Sequence, residues 1–131
     1  FIQSFAKVGL IPDAGGTYHL TQILGPLRAK AWAMTATPIS AATAKDWGLV
    51  WECFPGENLM PAARAMAKEL AQGATIGLAQ TKAVIHQVGL EDLETHMALE
   101  AKIQRACGQS ADYREGVTAF LDKRPAKYMG K

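Results

Sequence analysis

The chain has 131 residues, of which 49% are hydrophobic and 20% charged, ordinary proportions for one globular domain with a real core. Its net charge of +2 is too small to argue for nucleic acid or an anionic membrane as partner. No run approaches the ~18 uninterrupted apolar residues that a membrane span needs, and no signal-peptide pattern opens the sequence.

Phe1 to Phe5 (FIQSF) alternates apolar and polar residues and predicts a short strand. It reads as an element already in progress, without an initiator Met, so the chain is expected to be a piece of a longer polypeptide. A turn-rich loop, GLIPDAGG, runs from Gly9 to Gly16. From Thr17 the spacing becomes helical: Tyr18, Leu20, Ile23 and Leu24 share a face until Gly25-Pro26 interrupts it. A second helix follows through Ala29, Ala31, Trp32 and Met34. Ser40 is placed as the N-cap of a short helix that Gly48 stops. Leu49 to Phe54 (LVWECF) is β-branched and aromatic enough to predict a second short strand, turned by Pro55-Gly56-Glu57.

The remainder reads as helix. Asn58 is expected to cap a run in which Leu59, Ala62, Ala63, Met66 and Leu70 recur at three and four residues, ended by Gly73. Thr75 starts another run, stopped by Gly89. Leu90 to Cys107 forms the next, with Gly108 at its C′ position, and Ser110 opens a last helix ended by Pro125. The expected architecture is a helical array with two short strands, lacking the βαβ alternation of a complete α/β domain. Trp32, Trp47 and Trp51 are expected to fill the core.

Several chemistries lack their residues. Cys53 and Cys107 have neither CxxC nor His/Cys ligand spacing, so no metal is expected, and two distant cysteines suit reduced thiols in the cytoplasm. His19, His86 and His96 do not pair at i, i+4 as ligands would. There is no GxSxG elbow, no GxGxxG and no P-loop. Two runs remain. In the first, Asp13 is either turn chemistry, with its carboxylate satisfying free N–H groups at a helix start, or a working carboxylate. In the working case, Pro12, Gly15 and Gly16 support the loop, while Leu10 and Ile11 partly desolvate the acid. In the second, Phe120 and Lys123 lie three apart on one predicted helical face. They are either a solvated basic helix end or a clamp for an apolar body beside an anion.

Three blocks in order, GLIPDAGGTYHLTQILG, PISAATAKDWGLV and SADYREGVTAFLDKR, resemble the C-terminal half of the enoyl-CoA hydratase/isomerase (crotonase) superfamily. The resemblance covers the whole chain, and its wording looks closest to the phenylacetate-pathway isomerases that act on a ring 1,2-epoxide. It implies an α/β fold, the crotonase-like ββα superhelix, with this chain its mainly helical half carrying two short strands. Residues 1–57 would be the end of the spiral core with the catalytic loop, and residues 58–131 a helical region for trimer formation and CoA contact. The implied substrate is an acyl-CoA thioester whose enolate is held by two backbone N–H groups, in a homotrimer or a dimer of trimers, with no cofactor. Those N–H groups belong to the family's other half, so the 131 residues alone are expected to be inactive. Asp13 falls where family isomerases carry a proton-shuttling acid. Phe5 falls where hydratases place a glutamate. Phe120 and Lys123 match positions that contact the CoA adenine and its 3′-phosphate. The reading is an isomerase using Asp13; the alternatives are a 2-enoyl-CoA hydratase and a non-catalytic helical oligomerisation fragment.

Overall fold

The computed structural model describes residues 1–131 and contains helices and turns but no β-strand. Two compact units divide the chain, Phe1–Leu59 and Met60–Lys131.

The first unit opens with a 3-10 turn, Ser4–Val8, closed by Gly9 at φ 73°. Helix α1 (Gly16–Thr35) is broken at Gly25, whose φ of 72° and ψ of 163° only glycine adopts freely; Pro26 then starts the second half with its φ already set. Ser40 caps α2 (Ala41–Asp46) by accepting the Thr43 N–H at 3.0 Å. Leu20, Leu24, Ala29 and Trp32 form the core, with Ile39, Trp47 and Leu49 packed against them. The Trp32 indole N–H donates to the Thr37 carbonyl at 2.9 Å, and its ring meets Trp47 edge-on at 6.3 Å. Trp51 departs from expectation: it is 84% exposed.

Both expected strands are corrected. Within FIQSF only Phe1 pairs, exchanging two backbone hydrogen bonds with Ile39 at 2.8 and 2.9 Å, while Ser4 and Phe5 have already coiled into the 3-10 turn. One residue pair is not a ladder, and a strand without a partner has nowhere to place its backbone groups. LVWECF also lacks a partner. The N–H groups of Leu49 and Val50 both return to the Ala44 carbonyl, at 2.8 and 3.4 Å, wrapping the chain onto the end of α2. Beyond them Lys45 pairs with Glu52, which also accepts the Cys53 N–H.

Helix α3 (Gly56–Gln72) starts earlier than the Asn58 cap suggested, because the Pro55 carbonyl already accepts the Asn58 and Leu59 N–H groups. Its Leu59, Met60, Met66 and Leu70 stay exposed. In the second unit α4 (Thr75–Ile85) packs on α5 (Leu93–Gly108), and α5 on α6 (Ala111–Leu121). Asp92 caps α5, three residues later than expected, by accepting the Thr95 N–H at 2.9 Å; Ser110 caps α6 through the Tyr113 N–H at 3.0 Å. No helix is long and apolar enough to cross a membrane.

Candidate active site

The Gly9–Gly16 loop is built by its backbone. The Asp13 carbonyl accepts the Gly16 N–H at 2.7 Å, while Ala14 (φ 48°) and Gly15 (φ 79°) both take left-handed conformations that swing the chain into α1. Contacts on both sides make these two positions tight for any side chain. A Cβ on Gly15 would lie 3.0 Å from the His19 ring, and one on Gly16 would lie 3.1 Å from the Pro12 Cβ. Gly15 occupies the N-cap position, and no side chain caps the helix.

Asp13 is therefore not the capping residue that turn chemistry suggested. Its backbone closes the turn, and its carboxylate is exposed with no hydrogen bond or ion pair to any residue of this chain. Leu10 and Ile11 are exposed as well, so the desolvation expected of them is not supplied within these 131 residues. Phe5 lies half-buried in the preceding 3-10 turn, its carbonyl accepting the Leu10 N–H at 3.0 Å. Of the other histidines, His86 ends α4, and His96 sits between Glu91 at 3.2 Å and Glu100 at 3.6 Å.

The SADYREG run has a structural logic that sequence reasoning missed. Asp112 is 2% exposed, and its two carboxylate oxygens accept the N–H groups of Met129 and Gly130 at 2.7 and 2.8 Å. One turn on, Glu115 accepts from the two terminal Arg124 guanidinium nitrogens at 2.7 and 3.0 Å and from the Lys127 N–H at 2.8 Å. Between them they strap the tail from Arg124 to Lys131 along α6, and the Tyr128 ring lies over Gly116, where a Cβ would come within 3.3 Å of its hydroxyl. The available signal was Asp-x-x-Glu, which puts two carboxylates on one helical face upstream of a basic tail.

The Arg124 guanidinium and then the Lys127 N–H hold the Glu115 carboxyl at about 2, below its ordinary 4.5. A depressed acid contributes stability above its unfolded pKa and loses it as pH falls through the folded one. The strap should therefore be intact at neutral pH and loosen between about 4.5 and about 2. Amide hydrogen exchange at Lys127 reads this directly. Protection is expected to fall across that window, and Glu115→Gln should lower it above about pH 4.5 and flatten its pH dependence; a pH-independent protection in the unaltered protein would refute the assignment.

Phe120 is 83% exposed near the end of α6. Lys123 is not on the same helical face, as its spacing suggested, because α6 ends at Leu121 with Asp122 as C-cap and Lys123 takes φ 53°. The Lys123 N–H donates to the Phe120 carbonyl at 3.2 Å and the Arg124 N–H to the Ala119 carbonyl at 3.0 Å, the bonding of a Schellman cap. Glycine is the usual residue at such a C′ position; here it is a lysine, exposed and without an ion-pair partner. Asp13 belongs to the first unit, and Phe120 and Lys123 to the second.

The family description Enoyl-CoA hydratase/isomerase matches residues 1–131, and the chain belongs to that family. It is 42% identical, along its whole length, to half of the 1,2-epoxyphenylacetyl-CoA isomerase of Escherichia coli K12. It is 43% identical to 51% of a Rhodobacter capsulatus protein named "Probable enoyl-CoA hydratase". Among solved structures, an enoyl-CoA hydratase from Polaromonas sp. JS666 matches 98% of this chain with 50% of its own, at a TM-score of 0.92 and 31% identity. The chain thus spans about half the length of the curated relatives it matches.

Proposed function

We propose that the protein is an acyl-CoA isomerase that shifts a double bond, or opens a ring epoxide, through a thioester enolate with Asp13 as the proton shuttle. The observation that carries this reading is the unengaged Asp13 carboxylate, in a loop whose every turn and cap is made by backbone and glycine. A carboxylate that no residue of this chain engages, held in the turn that leads into α1, is free to take a proton from one carbon and return it at another. In the double-bond shift the electron pair left on carbon passes to the thioester oxygen as the enolate forms, and returns through the relocated C=C as the second C–H bond forms. Phe5 supports the same choice, since an apolar ring cannot activate water for addition. The 42% identity to a 1,2-epoxyphenylacetyl-CoA isomerase favours an aromatic acyl group.

In this reading Phe120 contacts the CoA adenine and Lys123 its 3′-phosphate, and no cofactor takes part. Residues 1–57 carry the catalytic loop and residues 58–131 the CoA-contacting and subunit-contacting helices. The protein works as a trimer or dimer of trimers in the cytoplasm. The exposed Leu59, Met60, Met66 and Leu70 of α3 call for a covering surface, which the rest of a full-length chain or another subunit would supply. A hydratase is the second reading, favoured by the 43% identity to the Rhodobacter capsulatus protein. Product analysis with the full-length protein separates the two. Isomerised thioester with no 3-hydroxyacyl-CoA is expected from 2-enoyl and ring-epoxide substrates, whereas rapid water addition to a 2-enoyl-CoA would overturn the isomerase reading.

A further inference from the structure

Lys123 and Arg124 are adjacent cations with opposite circumstances. The Arg124 guanidinium is engaged: it is forked onto Glu115 at 2.7 and 3.0 Å, lies 3.5 Å from Asp122, and its backbone N–H is bound to Ala119. Lys123 has no partner for its ammonium and sits in a left-handed conformation that is strained for any residue with a Cβ. A strained non-glycine residue persists only where its surroundings over-determine it. Here they do so from both sides. The cap bonds to Phe120 and Ala119 hold the chain before Lys123, and the Glu115–Arg124 fork holds it immediately after.

From this we infer that Glu115 and Arg124 are positioning residues: their bidentate pair keeps Lys123 in its left-handed cap and so aims its free ammonium at the ligand's phosphate. This rests on the reading of Lys123 as the CoA 3′-phosphate contact and adds the device that makes that contact selective. Glycine at this cap would be cheaper for the helix but would offer no charge. Lysine supplies the charge, and the fork offsets the strain. Asp112 acts at the far end of the same strap, holding Met129 and Gly130, and leaves the direction of Lys123 to Glu115 and Arg124.

The test compares CoA with 3′-dephospho-CoA, which differ only in the phosphate that Lys123 is to meet. Affinities are measured calorimetrically on the full-length protein with Lys123→Gln, Glu115→Gln and Arg124→Lys. Arg124→Lys keeps the charge but loses the planar fork. Glu115→Gln and Arg124→Lys are each expected to weaken CoA by about fivefold, the population lost when a left-handed residue is released, with dephospho-CoA binding unchanged. A purely structural loss would weaken both ligands equally. Lys123→Gln should abolish the preference for CoA. If it does not, the phosphate-contact reading itself fails; if it does while both fork variants keep the full preference, the positioning inference is wrong. Arg124→Lys decides the matter alone should Glu115→Gln fail to fold.

Discussion

Asp13→Asn in the full-length protein is expected to lower isomerase turnover by about 10²–10⁴-fold, the range that a positioned acid or base contributes. The substitution is close to isosteric, and the loop should not notice it. The Gly16 N–H bonds the Asp13 carbonyl, the left-handed turns belong to Ala14 and Gly15, and the close contacts are Pro12 with Gly16 and His19 with Gly15. None of these uses the carboxylate. Thermal stability and affinity for a CoA thioester should therefore stay within about twofold of the unaltered protein, so that the loss falls on kcat and not on KM. An amide cannot take up and return a proton at neutral pH, which is the whole of the expected defect. Near-normal turnover would remove Asp13 from the chemistry and leave the loop as a structural feature. A loss of turnover together with a loss of fold would mean that the side chain has a partner outside these 131 residues.

Which features could be read in advance follows from how local their causes are. The Ser40 and Ser110 caps, the break at Gly25-Pro26 and the turn at Gly48 each depend on a few neighbouring residues, and all four lie where spacing put them. The strands failed for the opposite reason. FIQSF and LVWECF have strand composition, but a strand is completed by a partner, and composition does not state whether one exists. Phe1 makes a single pair with Ile39 across 38 residues, and LVWECF makes none.

The candidate site divides in the same way. Gly15 and Gly16 were legible as loop residues, and the structure supplies the reasons: a φ of 79° at one and a 3.1 Å approach to Pro12 at the other. What spacing could not show was that the helix end would fall between Phe120 and Lys123, turning a supposed helical face into a cap. Nor could it separate the two acids of SADYREG from ordinary surface charge. Their partners lie 9 to 18 residues downstream in a tail with no periodic pattern.

Trp32→Ala is expected to destabilise the Phe1–Leu59 unit by about 3–5 kcal/mol, the usual cost of truncating a buried large aromatic. Three losses combine there. The indole is 3% exposed among Leu20, Leu24 and Ala29, so its removal opens a cavity in the small core that fastens the two halves of α1 together. Its edge-on contact with Trp47 disappears, and with it the packing beneath the Arg28 guanidinium, which lies 5.7 Å from the Trp47 ring. The Thr37 carbonyl also loses the indole N–H that it accepts at 2.9 Å. Trp32→Phe separates these contributions, because it restores much of the volume without the donor and should cost only about 1–2 kcal/mol. The consequence for function is indirect but measurable. Helix α1 begins at Gly16, directly after the Asp13 turn, and Leu20 and Leu24 fix that first half against Trp32. Denaturant unfolding of the full-length protein is the measurement. Equal stability of the alanine and phenylalanine variants would mean that the cavity term is absent and that Trp32 anchors the loop through its hydrogen bond alone.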